Sequence, residues 1–496
     1  MRQRVVTVAE MTAHEQFTCQ KRGIDQYELM EQAGQEIFYH FLKEEEMDQN
    51  QKIWVIAGIG NNGGDALVFA RHAIGFGLNV EIGVVGEVQK ASPMMFQALQ
   101  KIEQANITYF WDLRQAHRIP DGVTHIIDGL FGSGIQRNVI NIHKRMIDAI
   151  NDMGAKVTSI DIPSGINADT GEAMGVAVHA DKVLVIGCYK KGNLLLDGLD
   201  HAREVDIIDI GLIFDPSQPI REKWEFKDVI PIIPSRMHRS NKYDYGSVLT
   251  VGGSPGMMGA PQLSAMAALR SGAGLSSIGF RRDESPYMNL VYPELMVKLF
   301  ENTSEFKEMI QNKAAVVFGP GLGKHVFRNE RIIKILLDSA KKLVIDADGL
   351  VYFKPYLDSL PNPAEIVMTP HLGEMSQFFG VTKKKIETDP EHYIDVLRQK
   401  GLCVVLKGHT TIIGYKDQTA YIASGNPGMA TAGTGDVLAG IIASLIGQGM
   451  GIFEATTKGV LLHAKAGELA AQQMGYAGMI ASDMIVKIPE AIRLLQ

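Results

Sequence analysis

Disulfide chemistry is the first thing this chain excludes. Only Cys19, Cys188 and Cys403 occur in 496 residues, with no CxxC pair and no zinc-ligand spacing. Three scattered cysteines fit a reducing compartment and leave thiolate metal sites out of account. Long apolar runs are missing too: none approaches the roughly 18 residues that a spanning helix needs. The basic start, Arg2 and Arg4, meets Glu10, His14 and Glu15 instead of an apolar leader, so a cytoplasmic location is expected. Positive clusters are scarce, because the net charge is −7 and no basic cluster exceeds a run such as Lys383-Lys384-Lys385. Neither nucleic acid nor a membrane is therefore an expected partner. An apolar fraction of 46% and a charged fraction of 21% are ordinary for globular protein, and the length calls for two or three domains.

Glycine is plentiful, and its clusters sit where chemistry could be done. Residues 425–438 read GNPGMATAGTGDVL and run straight into the apolar stretch Val437 to Ile446. That transition predicts a loop opening a helix, with the amides of Ala432 to Asp436 free to face an anion. Asp436 falls in the first helical turn, where the helix dipole favours its ionised form. A phosphate beside an ionised carboxylate is a phosphoryl-transfer arrangement in outline. The plainer alternative is a glycine loop that only lets a helix pack closely.

In the first half, residues 8–46 are helical in pattern, with Leu29, Met30, Ala33, Ile37, Phe38 and Phe41 forming one apolar face. Ile53 to Ala57 then reads as a buried parallel strand, followed by GIGNNGGD at 58–65 and a helix over Ala66 to Phe76. Strand, glycine-rich turn and helix form the context of dinucleotide phosphate binding, and Glu87 stands where an acid could follow the second strand, Val80 to Val85. Asp128 and Asp161 close two further strands, His125 to Asp128 and Lys156 to Ile160. In a doubly wound sheet these strand ends converge, bringing Asn62, Asp128, Asp161 and Ser164 to one crevice. Such hard oxygen ligands suit a monovalent or divalent cation; turn capping is the structural alternative. A strand pair, Lys182 to Gly187 and Glu204 to Ile210, ends the domain, and prolines 216, 219, 231 and 234 mark the boundary.

GNNGGD at 60–65, DGLFGSG at 128–134, DIPSGINADTG at 161–171 and LMEQAG at 29–34 resemble the epimerase domain of NAD(P)H-hydrate repair proteins. The resemblance implies a Rossmann-like α/β/α sandwich over 1–214 that interconverts the R and S epimers of hydrated NADH and NADPH. It implies a potassium ion held through Asn62, Asp128 and Ser164. Substrate contacts map onto Asn61, Asn62, Gly63, Gly64 and Asp65, onto Gly132, Ser133, Gly134, Ile135, Gln136, Arg137 and Asn138, and onto Asp161, the best candidate for acid–base work. Gln32 departs from the Asn more frequent in that family.

After a linker over 215–236 the strand–turn–helix pattern restarts. Strands over Tyr245 to Val251, Val316 to Phe318, Leu343 to Ile345, Ile366 to Met368 and Cys403 to Leu406 each lead into polar or glycine residues, which implies a parallel α/β domain. GPGLG at 319–323, DADGL at 346–350, TPHLGEM at 369–375, LKGHTT at 406–411, the 425–438 stretch and ASDMI at 481–485 resemble the ribokinase-like ADP- or ATP-dependent dehydratase of hydrated NAD(P)H. That resemblance implies a dehydratase over 237–496 with Asp436 as base. Substrate contacts map onto Ala260, Gly321, His371 and Asp436, and nucleotide contacts onto Lys407, Gly408, His409, Thr410, Thr411 and Gly435. Mg²⁺ and ADP or ATP are the expected cofactor and co-substrate, NADHX and NADPHX the substrates, and a homo-oligomer the expected assembly. Asn241-Lys242 departs from the family's usual His-Lys. A vitamin-precursor kinase of ribokinase-like type fused to a nucleotide-binding domain is the competing reading.

Overall fold

Glycine and a capping acid break the first helical stretch in two. Helix α1 (Val8–Arg22) stops at Gly23, whose left-handed backbone (φ +67°) returns its N–H to the Cys19 carbonyl. Asp25 then caps α2 (Gln26–Glu44) in a reciprocal box with Glu28, so the single stretch expected over 8–46 is two helices. The computed structural model describes residues 2–45, 51–102, 106–323, 330–360 and 365–496, and residue 46 of that expectation lies outside them. The chain divides into two compact units, Gln3–Arg221 and Glu222–Gln496.

The first unit is built on seven parallel strands: β1 (Lys52–Gly58), β2 (Asn79–Val85), β3 (Asn106–Phe110), β4 (His125–Gly129), β5 (Lys156–Ile160), β6 (Ala180–Ile186) and β7 (Ala202–Ile208). Their order, 3-2-1-4-5-6-7, reverses direction between β1 and β4, which creates a switch-point crevice at the strands' carboxyl ends. Helices cover both faces of this doubly wound α/β sheet. Ile53, Val55 and Ala57 of β1 pack with α2 and α3 (Asn61–Gly75), while Trp54 and Ile56 pack with α4 (Asn141–Asp152). Helix α3 begins at Asn61, so Asn61 to Asp65 form its first turns and are not a separate loop as expected. A Cβ on Gly63 would lie 1.9 Å from the Gly58 carbonyl oxygen, and its absence lets the helix start hard against β1.

The second unit repeats the layered logic. Its strands are β8 (Ser247–Val251), β9 (Leu275–Arg281), β10 (Met296–Phe300), β11 (Ala315–Phe318), β12 (Leu343–Ile345), β13 (Ile366–Met368), β14 (Cys403–Leu406), β15 (Thr411–Tyr415) and β16 (Gln418–Ile422). They run in the order 10-9-8-11-12-13-14-15-16, parallel up to β14 and antiparallel over the last two pairings. One core cluster joins α5 (Gly259–Arg270), α7 (Thr434–Gly447) and α8 (Ile452–Met474) to one face of this sheet, with Trp224, Val229 and Ile232 packed into it. The short helix α6 (Leu372–Phe379) follows β13. Gly440 of α7 sits against α5, where a Cβ would come within 2.0 Å of the Ser264 carbonyl oxygen.

Candidate active sites

At the carboxyl end of the first sheet lies a cavity of about 740 Å³, lined by Asn61, Asn62, Asp65, the Gly132–Asn138 segment, Asp161 and Lys190, with Glu15 and His143. Asp161 follows β5 with φ +69°, a left-handed conformation that a non-glycine residue adopts at a cost of about 1–2 kcal/mol. Its backbone is held there: the Asp161 N–H bonds the Leu184 carbonyl at 2.8 Å, and Asn193 Nδ2 donates to the Asp161 carbonyl at 3.2 Å. The side chain accepts from the Ile186 N–H at 3.1 Å and from the Lys190 ammonium. Burial raises the Glu15 and Asp65 carboxyls, Asp65 to well above its ordinary range, with the charge of Asp161 reinforcing both and Lys190 opposing both.

Beneath the cavity, Asp128 is fully buried and does not line it. Its Oδ1 accepts from Ser164 Oγ at 2.5 Å and the Leu130 N–H at 3.2 Å. Oδ2 accepts from Ser159 Oγ at 2.7 Å and the Ser164 N–H at 2.9 Å. Burial still pushes this carboxyl up, against the pull of those hydroxyls and amides. Asn62 Nδ2 donates to the carbonyls of Phe131 (3.0 Å) and Ile160 (3.2 Å), and Ser164 Oγ, whose one proton goes to Asp128, lies 3.1 Å from the same Phe131 carbonyl. Carboxylate, hydroxyl, amide and two carbonyls thus meet around one point. Gly63 and Gly64, by contrast, serve packing against Gly58 and Met30 and do not line the cavity. Glu87 is exposed, pairs with Lys90 at 2.8 Å and plays no part in the crevice.

In the second unit, Gly433 (φ +90°) turns the chain into α7, and Asp436 stands in the first turn. A Cβ on Gly435 would lie 3.1 Å from the Lys407 ammonium and 3.7 Å from Asp346 Oδ2, so these three groups crowd one spot. Lys407 donates to Asp346 Oδ1 at 2.8 Å and stands 4.0 Å from Glu374, while Thr369 Oγ1 donates to Asp346 at 2.7 Å. Burial works against the Lys407 ammonium, but Asp346 and Glu374 outweigh it and hold it above its usual range. For Asp436 the expectation of a dipole-favoured ionised form fails. Burial, then the Asp346 carboxylate, push its carboxyl up to about 8, further than Lys407 pulls it down.

His371 is the N-cap of α6, its Nδ1 accepting from the Gly373 and Glu374 amides at 2.9 and 3.2 Å; a short parallel bridge ties it to Lys407. Gly321 (φ +66°) packs against Ala260, where a Cβ would approach the Ala260 methyl to 3.2 Å. Lys407 to Thr410 form the turn between β14 and β15 and Thr411 opens β15, with Gly408 and His409 exposed and Thr410 buried. Sequence reasoning missed Lys190, Glu15 and His463. The first lies 29 residues from Asp161, and no local motif ties them. His463, buried on α8, donates from Nε2 to the Thr434 carbonyl at 2.9 Å, and burial lowers its pKa to about 4, which keeps it a neutral donor beneath the loop.

Two family models match this chain: one described as NAD(P)H-hydrate dehydratase over residues 248–490, and one described as YjeF-related protein N-terminus over 26–192. A bifunctional NAD(P)H-hydrate repair enzyme of Thermofilum pendens is 33% identical over 99% of this chain and 97% of its own length. Its namesake in Coxiella burnetii is 34% identical over 93% and 94%. A crystal structure of a ribokinase-like superfamily protein from Enterococcus faecalis is similar at 28% identity and a TM-score of 0.50, over 55% of this chain and 96% of that one.

Proposed function

The chain belongs to the family of bifunctional NAD(P)H-hydrate repair enzymes, and from that membership we propose how its two centres divide the work. It is an epimerase and an ADP- or ATP-dependent dehydratase acting on hydrated NADH and NADPH. The epimerase is assigned to 1–214 and the dehydratase to 237–496, with 215–236 as the linker, of which Trp224, Val229 and Ile232 pack into the second unit's core. Hydration of the dihydronicotinamide enamine places a hydroxyl on the carbon beside the ring nitrogen. That carbon is the one whose R and S forms interconvert, and its hydroxide is a poor leaving group.

In the dehydratase, the observation that carries the reading is the crowding of Lys407, Asp346 and Asp436 over Gly435 at a helix N-terminus. Asp436 takes the proton of the substrate hydroxyl as its oxygen attacks the terminal phosphorus of the nucleotide. The amides of Gly433 to Gly435 and the Lys407 ammonium stabilise the charge on the transferred group. Ring-nitrogen electrons then expel phosphate, and loss of a proton from the adjacent carbon restores NAD(P)H, leaving AMP or ADP and inorganic phosphate. Among the described residues, the carboxylates here do not close a metal cage of their own; the one such grouping is His40, Glu44 and Asp206, and Lys182 already bonds its acids. Asp346 and Glu374 would hold Mg²⁺ bound with the nucleotide phosphates, as that ion needs only one or two carboxylates, and it would supply positive charge against the phosphates.

In the epimerase, Asp65, whose carboxyl burial raises well above its ordinary range, gives its proton to the departing hydroxyl, and Asp161 takes one from the water that returns on the opposite face. Asp128, Ser164 and Asn62 would hold potassium with hard oxygen donors once the Asn62 amide, whose Nδ2 now bonds the Phe131 and Ile160 carbonyls, turned its oxygen inward. The ion would supply fixed positive charge beneath the Gly132 loop.

The test is incubation with mixed NADHX epimers, Mg²⁺ and ADP or ATP, following NADH absorbance and phosphate. Complete recovery of NADH from both epimers is expected, and exchange of potassium for a bulky cation should slow only the R-epimer. A stable phosphorylated product without NADH would overturn this reading in favour of a small-molecule kinase.

A further inference from the structure

Asp161 is not alone in its cavity. Lys190 is 1% exposed, yet it lines the same cavity. It contacts Asp161 Oδ1 and donates to the Ile186 carbonyl at 2.9 Å. The backbone that carries it is clamped twice: the Lys190 N–H bonds Asn193 Oδ1 at 2.8 Å, and Lys190 pairs with Val6 in a short parallel strand. Asn193 in turn bonds the Asp161 carbonyl at 3.2 Å, so one asparagine fixes both members of the pair. An ammonium this deeply buried is costly unless it is paired, and a structural role could be filled by an apolar side chain at lower cost. Three acids meet here on three different elements: Glu15 on α1, Asp65 on α3 and Asp161 after β5. Arg137, the other permanent cation lining the cavity, is exposed, and Arg4 acts on the nearby Cys188 and His14 without lining it.

We infer that Lys190 is the positioning residue of the epimerase centre, orienting the Asp161 carboxylate toward the substrate and placing one positive charge among the three acids that line the cavity. This rests on the epimerase reading given above. Lys190 acts through Asp161; the Ile186 N–H and the ammonium together occupy Asp161 Oδ1, which leaves Oδ2 for substrate. Removing the ammonium frees that oxygen to rotate and removes the one charge that opposes the rise of Glu15 and Asp65.

The experiment uses the full chain, purified R-epimer of NADHX and no nucleotide, with R and S separated chromatographically across about pH 5 to 9. For K190M, kcat should fall about 100-fold with KM within about twofold, and the acid limb of the rate profile should move to higher pH. K190R keeps the charge but not the point geometry, so its limb should stay in place while kcat falls about tenfold. Dehydration of S-epimer by the same preparations should be unchanged, which reports on folding. K190M with an unmoved limb, or K190R with wild-type kcat, overturns the inference, and the arginine variant decides alone if the methionine variant misfolds. A wild-type chain that leaves R-epimer unaltered overturns the epimerase reading itself, and this inference with it.

Discussion

Asp436 is where the second unit concentrates its electrostatic conflict. Its carboxyl, raised to about 8 by burial and by Asp346, holds a proton that the unfolded chain has already released above the ordinary Asp range. Because the folded protein binds more protons than the unfolded one between about pH 4 and 8, stability falls as pH rises through that window and levels off above it. D436N should therefore be more stable than wild type at pH 8, by on the order of a few kcal/mol, with the difference vanishing near pH 4. Thermal melts of both proteins across that range check this, and equal melting temperatures at pH 8 would contradict it. The same ionisation predicts a dehydratase kcat/KM that climbs with pH up to about 8, since the base must be unprotonated in the free enzyme. At this scale the sequence supplied the identity of the acid and its place in a helix's first turn. It could not supply the sign of the shift, because burial, with Asp346 after β12 and Glu374 on α6, each 60 or more residues away, pushes against the local dipole.

Among the elements, α7 decides how accurately the glycine loop is held. Its Gly440 lets the helix touch the backbone of α5, and the space is already filled by the Ser264 carbonyl. G440A should force the two helices apart, destabilising the second unit by about 1–3 kcal/mol and lowering dehydratase activity through displacement of Gly433 to Asp436. G447A on the same helix meets only ordinary contacts at 3.5 Å or beyond and serves as the control. Denaturant unfolding with both activities measured distinguishes the cases; a G440A protein with unchanged dehydration would show that the contact does not position the loop. Strand bounds in this unit were legible to the residue at 343–345, 366–368 and 403–406, because each is a short apolar run closed by polar or glycine residues. The early start of α3 was not, since it depends on the Gly58 backbone lying against Gly63, whereas the break at Gly23 is set locally by its left-handed cap and the Asp25–Glu28 box.

For the whole molecule, each proposed centre lies within one unit, so the two activities should be separable. D436N should abolish dehydration and leave epimerisation intact, whereas D161N should still convert the S-epimer and leave the R-epimer behind. Loss of both activities in either variant, measured on separated epimers, would argue against two independent centres. The pairing has a chemical reason: a dehydratase that accepts one epimer strands the other unless a second centre interconverts them.

What the sequence determined by itself is the pattern of strands ending in glycine and acid, and hence two α/β layers with their chemistry gathered at one edge of each sheet. Residue spacing and burial periodicity are local properties, and they suffice for that. The tertiary structure alone decided which charges face one another: Lys190 against Asp161, Glu15 and Asp65 within their field, Lys407 and Asp346 over Gly435, His463 beneath Thr434. Those pairings join residues tens of positions apart, and the energy of a buried charge depends on its neighbours in space, which no stretch of sequence specifies.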